Sequence, residues 1–380
     1  MSRPGTAAWP SAASDIDITM VRRAAVWTLL LAKLAAGWGL GWDIQWHLRI
    51  GRDSFWIPPH VLTYASITAA VMVAFGVVGL ETWLARGRRA PADTVRVAGL
   101  VGTPGFHLVW LGMALTILAA PIDDLWHRLF GIDVTLWSPP HLLGLAGAQV
   151  STLALLIVPL EVWPAGSRAR LVALFVSASF LFGTFAIVAD PSGRIAFLYG
   201  GLRFFTWPVL MAAFTVFSLT LIALLAGWRS APVIVVALSL VVQLSTWVVS
   251  DIGLALASPT SVIEEVLAAE DATSPIAVAH EIARRNGAAP GRSLATRLVP
   301  FVPALVLMLV DVRRRWMLAS LASGAALFIV AALTMARAPA FAHAVPATGT
   351  FVVGLIMTAA MAAAGGWLGV RLAAAVMNTD

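Results

Sequence analysis

Long apolar stretches alternate with short polar ones along almost the whole chain. Runs of 18 or more mainly apolar residues recur, and a helix of that length crosses the hydrocarbon core of a bilayer with its backbone polar groups satisfied internally. The pattern predicts ten spans, at about residues 22–46, 59–84, 105–128, 140–162, 169–189, 204–228, 231–257, 298–312, 316–337 and 349–374. The predicted fold class is therefore an all-α, polytopic helical membrane protein in contact with the lipid bilayer.

Composition supports this prediction and excludes several kinds of site. The 380 residues are 60% hydrophobic and 12% charged, half or less of the charged share of a soluble domain. The absence of cysteine excludes disulfides, thiolate metal sites and cysteine nucleophiles. The net charge of +6 comes from arginines scattered at span ends, so no nucleic-acid partner is expected.

The arginines predict the orientation of the chain. Every second connection is rich in them, namely Arg22 and Arg23, Arg86, Arg88 and Arg89, Arg168 and Arg170, Arg229, and Arg313, Arg314 and Arg315. Connections of this kind face the cytoplasm. We therefore expect a multi-pass protein of the plasma (inner) membrane with both termini cytoplasmic. No cleavable signal peptide is expected, because the polar residues 1–21 lead directly into the first span.

The predicted spans and orientation divide the chain into three parts: a cytoplasmic tail at 1–21, a metal-site membrane unit at 22–228, and C-terminal membrane helices at 229–380. The last part contains an extracytoplasmic insertion at residues 258–297. We predict two short helices there. Ser261 and Glu264 suggest a capping box for the first, and Ser274 with Asn286-Gly287 bounds the second.

One phrase occurs twice in the first membrane unit. "DIQWHLRIGRDSFWIPPH" runs from Asp43 to His60, and "DDLWHRLFGIDVTLWSPPH" runs from Asp123 to His141. The copies align at an offset of 80 residues up to the first histidine and at 81 from the following tryptophan onward. Each phrase joins two spans, so the N-terminal half is a duplicated helical hairpin.

Each phrase can bring three metal ligands together. Asp43 and His47 are four residues apart, so they share one face of the first helix. The two prolines before His60 suit only the first turn of the next helix, which places His60 across the loop from that face. The second copy offers Asp123, His127 and His141.

One carboxylate and two imidazoles at membrane depth indicate a metal site with open coordination positions. Such a set suits copper, iron or zinc. Asp53, Asp133 and Arg52 are predicted to hydrogen-bond the far ring nitrogens. The alternative is that these histidines merely cap helices, with tryptophans such as Trp46 and Trp56 in an interfacial belt.

The spacing of these residues resembles a known family. Asp-x3-His-x12-His and a second set with x13 are similar to the C subunit of the copper membrane monooxygenases, the particulate methane and ammonia monooxygenases. The resemblance covers the first six spans, at about residues 22–228. In that family the first set binds copper, and a second set beginning with asparagine forms a neighbouring site. Asp123 replaces that asparagine here.

The resemblance implies a function. The chain would bind copper at two Asp/His/His sites and use dioxygen to hydroxylate a small apolar or uncharged substrate. It would work with other monooxygenase-type subunits or as a homo-oligomer. No residue of this chain can be assigned as a general acid or base.

Two other functions remain open from the residues alone. A metal transporter or assembly factor would use the same ligands without oxidation, and a structural subunit would retain a degenerate site. Lys33, the only lysine, lies near mid-membrane either as part of a proton path or as a buried partner for a carbonyl. His280 and His343 could approach the sites only through loop folding, and the glycines of "GWGLGW" indicate close helix packing.

Overall fold

The computed structural model describes residues 17–52, 54–87, 90–130 and 136–377, apart from the side chain of His127. The chain is almost entirely helical. The helices are α1 (Ile18–Arg49), α2 (Pro58–Leu84), α3 (Pro104–Phe130), α4 (Pro139–Val162), α5 (Arg168–Ala189), α6 (Ser192–Tyr199), α7 (Thr206–Ala226), α8 (Ala231–Ala257), α9 (Ile263–Ala269), α10 (Pro275–Arg285), α11 (Leu294–Leu298), α12 (Phe301–Val310), α13 (Trp316–Arg337) and α14 (Thr348–Met377). Two 3₁₀ helices, Gly201–Phe205 and Pro339–Ala344, complete the helical part, and β1 (Val95–Val97) pairs with β2 (Leu100–Gly102) in an antiparallel hairpin.

Nine helical segments in the described ranges are long and apolar enough to cross a membrane. This confirms the all-α, multi-pass fold. The span predicted at 298–312 differs from the others. It contains α12, whose 10 residues reach only about 15 Å, half of the roughly 30 Å hydrocarbon core.

The short helices α11 and α12 nevertheless run between the two ends of α8. Before them, Arg292 binds Asp251 near the end of α8 through both carboxylate oxygens. After them, Arg229, which directly precedes α8, donates to the carbonyls of Met308 and Leu309. The segment therefore returns the chain to the end where α8 begins, as a tenth span would.

Two large hydrophobic clusters form most of the core in the described part of the chain, and a third, small one joins Trp46, Ile50, Ile57 and Leu254 at the end of α1. One of the two large clusters lies among α1 to α4 with the start of α5 and includes Val26, Ala74 and Leu155. The larger one contains residues from α4 through α8 together with α12, α13 and α14. It therefore includes residues on both sides of position 228, the predicted boundary between the two membrane parts. Small residues allow helices to pack closely in lipid, and a Cβ on Gly369 of α14 would lie 2.9 Å from the Phe217 carbonyl of α7.

In each of the two hairpins, α1–α2 and α3–α4, the paired helices touch one helical turn away from the repeated phrase. A Cβ on Gly39 would lie 2.9 Å from the Thr63 nitrogen, whereas a Cβ on Gly144 would lie 3.4 Å from the Ala119 Cβ. Position 119 is 39 plus 80 and position 144 is 63 plus 81, which are the offsets of the sequence repeat. Equivalent positions are thus in contact in both hairpins, more closely in the first, and the glycine lies on opposite helices.

Candidate metal centre

The first Asp/His/His set lies where α1 ends and α2 begins. Asp43 and His47 occupy the last two turns of α1. Pro58 and Pro59 form the first turn of α2, which has Ile57 as its N-cap, so His60 lies in the first helical turn as predicted. The proline at N1 lacks only a backbone N–H that would have had no helical partner, and this fixes where α2 starts.

The three side chains converge. Oδ1 of Asp43 lies 3.5 Å from Nε2 of His47 and 3.1 Å from Nε2 of His60. One ligand atom from each residue lies within 4.8 Å of the other two. Ligand atoms roughly 2.1 Å from one ion at octahedral or tetrahedral angles lie about 3.0–3.4 Å apart. The carboxylate–imidazole distances therefore match those of ligands around a single ion.

The hydrogen bond of His60 determines which ring nitrogen faces Asp43. Its Nδ1 lies 3.0 Å from the carbonyl oxygen of Ser54. Because a carbonyl oxygen can only accept, Nδ1 donates, and Nε2 of the neutral ring carries the lone pair. A lone pair and a carboxylate oxygen at 3.1 Å repel one another unless a proton or a metal ion lies between them.

The carboxylate supplies a second indication. Oδ1 of Asp43 is buried, and no described group hydrogen-bonds to it. The side chains of Asp43, His47 and His60 are only 18–20% exposed. A buried carboxylate oxygen that faces two imidazole nitrogens without a hydrogen bond is costly, so the geometry fits a divalent cation held by one oxygen and two nitrogens.

The loop between α1 and α2 is held back against α1 by Trp46. This residue is buried, and its Nε1 donates to the Arg52 carbonyl at 2.9 Å. Gly51 makes the turn with a φ of +78°, a conformation that glycine adopts without strain. Trp46 is therefore a support of the site, whereas Trp56 is 73% exposed, as expected of an interfacial tryptophan.

The second set is described in part. Oδ1 of Asp123 lies 3.3 Å from Nε2 of His141, close to the Asp43–His60 distance of 3.1 Å. His141 lies in the first turn of α4, after Ser138 as N-cap and two prolines. The side chain of His127 is outside the described part of the chain, so the third ligand of this set stays a prediction.

Of the three predicted hydrogen-bond partners of the ligands, two stay predictions. Asp53 and Asp133 lie outside the described residues. The Arg52 prediction is wrong, because its side chain is exposed and its carbonyl binds Trp46. The described partner of His60 Nδ1 is the Ser54 carbonyl, a backbone group whose position depends on the loop conformation and carries no signature in the sequence.

The insertion has the predicted short helices, α9 and α10, and a third, α11, near its end. The capping box is wrong. The N-cap of α9 is Val262, without a side-chain cap; the Ser261 hydroxyl accepts from the Ile263 nitrogen at 3.3 Å and donates to the Arg49 carbonyl. The second helix is as predicted: Ser274 caps it, accepting from the Ala277 nitrogen, and Gly287 follows it with a φ of +60°.

The remaining buried or polar residues of interest bind groups other than the ligands. Lys33 donates to the Ala148 carbonyl of α4 at 3.0 Å, the structural alternative of the two predicted. His107 is buried at the start of α3 beside Trp110. His343 binds the Phe197 carbonyl. His280 approaches the first set, but as a donor to the Leu48 carbonyl.

Among the glycines of "GWGLGW", Gly39 packs on α2 and Gly41 on Thr246 of α8. The predicted close helix packing is confirmed at these two positions. It brings α1 against both neighbours just below the Asp/His/His set.

Comparison with known proteins adds no family to this description. No family model, no curated protein and no solved structure matches the chain.

Proposed function

We propose that this multi-pass membrane protein is a metalloprotein that binds copper at Asp43, His47 and His60, and again at Asp123, His127 and His141. The observation that carries the proposal is the pairing of His60 Nε2 with Asp43 Oδ1 at 3.1 Å while Nδ1 is committed to a carbonyl. Outer hydrogen bonds of this kind orient metal-binding histidines and fix their tautomer.

The donor set suits a working metal more than a purely structural one. Two imidazoles and one carboxylate leave coordination positions open, and they suit copper, with iron or zinc as alternatives. Copper is favoured here because the spacing of the ligands resembles that of the copper membrane monooxygenase C subunit. When bound, the metal would supply redox chemistry with dioxygen.

Within this proposal the protein groups have simple tasks. Each Asp/His/His set holds one ion, and the Ser54 carbonyl orients the ring of His60. The apolar helices exclude water from the open coordination positions. The substrate would be small and apolar or uncharged, and further monooxygenase-type subunits or a second copy of this chain would complete the assembly.

The arrangement in the membrane is also proposed. The arginine-rich connections would face the cytoplasm, which puts both termini inside and both metal sets toward the extracytoplasmic side of the plasma (inner) membrane. The path of α11 and α12 beside α8 supports this, because it gives an even number of passages.

Metal analysis of the purified protein tests the proposal. Wild type is expected to hold about two copper ions per chain, and His60→Ala and His141→Ala about one each. His343→Ala, which alters a histidine bound to the Phe197 carbonyl, should keep both. Equal trace metal in all four proteins would refute metal binding.

Oxygen uptake then separates the possible functions of a metal-loaded protein. Consumption of dioxygen that depends on a small apolar substrate and on both histidines would support an oxygenase. Stable metal binding without such uptake would instead favour a metal carrier or assembly factor. Proteins that co-purify would identify the expected subunits.

A further inference from the structure

The last carbonyls of α1 are capped by the distant insertion. A helix leaves its final carbonyl groups without intrahelical donors. Here His280 Nε2 donates to the Leu48 carbonyl at 2.9 Å and the Ser261 hydroxyl donates to the Arg49 carbonyl at 2.7 Å. Just beyond the helix, the Val262 nitrogen donates to the Ile50 carbonyl oxygen at 2.8 Å. The insertion thus satisfies three consecutive carbonyls directly after His47.

Side chains reinforce this contact on the face of α1 opposite the ligands. Gln45 is buried, with 2% of its surface exposed. Its Oε1 accepts from Arg292 Nε at 2.9 Å, and its Nε2 lies 3.4 Å from the Pro290 carbonyl. Arg292 and Arg49 both bind the Asp251 carboxylate. This network ties the insertion, α1 and α8 to one another.

Gly51 permits the closest approach. Its φ of +78° already favours glycine, and a Cβ there would lie 3.1 Å from the Cα of Ile263 in α9. The apolar side of α9 therefore packs directly on the turn that follows α1. Any larger residue at position 51 would push the insertion away from the first site.

The second hairpin has no comparable cap among the described residues. No hydrogen bond between described groups joins the insertion to α3 or α4. Near the end of α3, Leu129 and Phe130 are 65% and 68% exposed. Within the described ranges the two repeated hairpins thus differ in their outer support.

We propose that the insertion is a clamp for the first site: by capping α1 it holds Asp43 and His47 in the metal-binding geometry, with His280 as a positioning residue. This inference rests on the proposed function. A preorganised site loses less ordering entropy on binding, so the first site binds metal more tightly than the second and fills first.

Copper titration of single-site proteins tests the clamp. In the His141→Ala background, His280→Ala is expected to weaken the first site about 10- to 100-fold, as removal of a group that orients ligands does. His280→Gln, which retains an N–H donor, should recover part of the affinity. In the His60→Ala background, His280→Ala should leave the second site unchanged.

His343→Ala is the matched control, since His343 Nε2 also binds a backbone carbonyl at 2.9 Å, on α6 instead of α1; its Nδ1 lies 3.1 Å from Arg285 of α10, so the variant removes a histidine that contacts the insertion but not α1. It should not change the first site. Unchanged first-site affinity in His280→Ala, or equal weakening of both sites, would overturn the clamp. Failure of wild type to bind copper would refute the proposed function itself. Amide exchange at residues 44–52, faster in His280→Ala than in His343→Ala, then reports the capping contact without metal.

Discussion

The ring of His60 places Nε2 at 3.1 Å from Oδ1 of Asp43, while Nδ1, on the other side of the ring, donates to the Ser54 carbonyl. The two contacts leave a carboxylate oxygen and a ring lone pair directed at the same point. A carboxamide in place of the carboxylate would remove the negative charge without changing the shape of the site.

Asp43→Asn is therefore expected to lower copper content by about one ion per chain, because the first site loses its only anionic ligand. Elemental analysis of the purified variant measures this. Asp124→Asn is the control, since Asp124 pairs with Arg128 at 2.7 Å on the exposed side of α3. Full metal content in Asp43→Asn would contradict the assignment of the first site.

Metal removal should lower thermal stability. A ligand at 100 times its dissociation constant stabilises the folded state by about 2.7 kcal/mol. Treatment with a chelator is thus expected to lower the Tm of wild type and to have a smaller effect on His60→Ala. The same Tm with and without chelator in wild type would count against a metal in the folded protein.

The contact between Gly39 and Thr63 predicts a difference between two nearby glycines. A Cβ at position 39 would lie 2.9 Å from the Thr63 nitrogen, whereas one at position 37 meets no described atom within 4 Å. Gly39→Ala should cost about 1–3 kcal/mol through overpacking and reduce first-site copper. Gly37→Ala should be neutral or stabilise by about 0.5–1 kcal/mol.

Denaturation in detergent together with copper analysis measures both effects. If Gly39→Ala retains copper at both sites and unfolds like wild type, close packing of the hairpin does not set the ligand geometry.

Trp46 predicts a loop-specific effect. Trp46→Phe keeps an aromatic ring but loses the bond from Nε1 to the Arg52 carbonyl, worth about 1 kcal/mol. We expect weaker copper binding at the first site. Trp56→Phe, at a 73% exposed position, should bind copper normally. Identical titration curves for the two variants would show that the loop does not depend on this bond.

Arg22 predicts a stability effect that is independent of metal. Its Nε binds Glu81 at 2.7 Å, and both side chains are less than 10% exposed. Arg22→Leu leaves a buried carboxylate unpaired and should cost about 3–5 kcal/mol, without altering copper content per folded chain. The exposed neighbour Arg23 provides the control as Arg23→Leu. Chemical denaturation measures the free energy of unfolding of both variants, and equal values for Arg22→Leu and Arg23→Leu would contradict this prediction.

The sequence was sufficient where local rules determine the structure. Helical spacing places Asp43 and His47 on one face, and the paired prolines determine that α2 begins before His60. Both conclusions need only residues within a single phrase, and both are confirmed.

Features that depend on distant parts of the chain could not be predicted in this way. The bond from His280 to Leu48 joins residues 232 positions apart, and the Ser261 hydroxyl bonds to α1 where a local capping box was expected. The acceptor for His60 is a backbone carbonyl, which every residue possesses. The break between α11 and α12 could not be predicted either, because hydropathy does not show where a helix is interrupted.

The shortness of α12 has a consequence for how the protein is made. Both α12 alone, with 10 residues, and the apolar stretch Leu294–Val310 that contains it are shorter than the roughly 20 residues that a spanning helix needs. We expect this segment to dock against α8 and α13, where Arg229 donates to the carbonyls of Met308 and Leu309 near its end. Folding of the C-terminal part is therefore expected to end with this docking step, after α8 and α13 have crossed the bilayer.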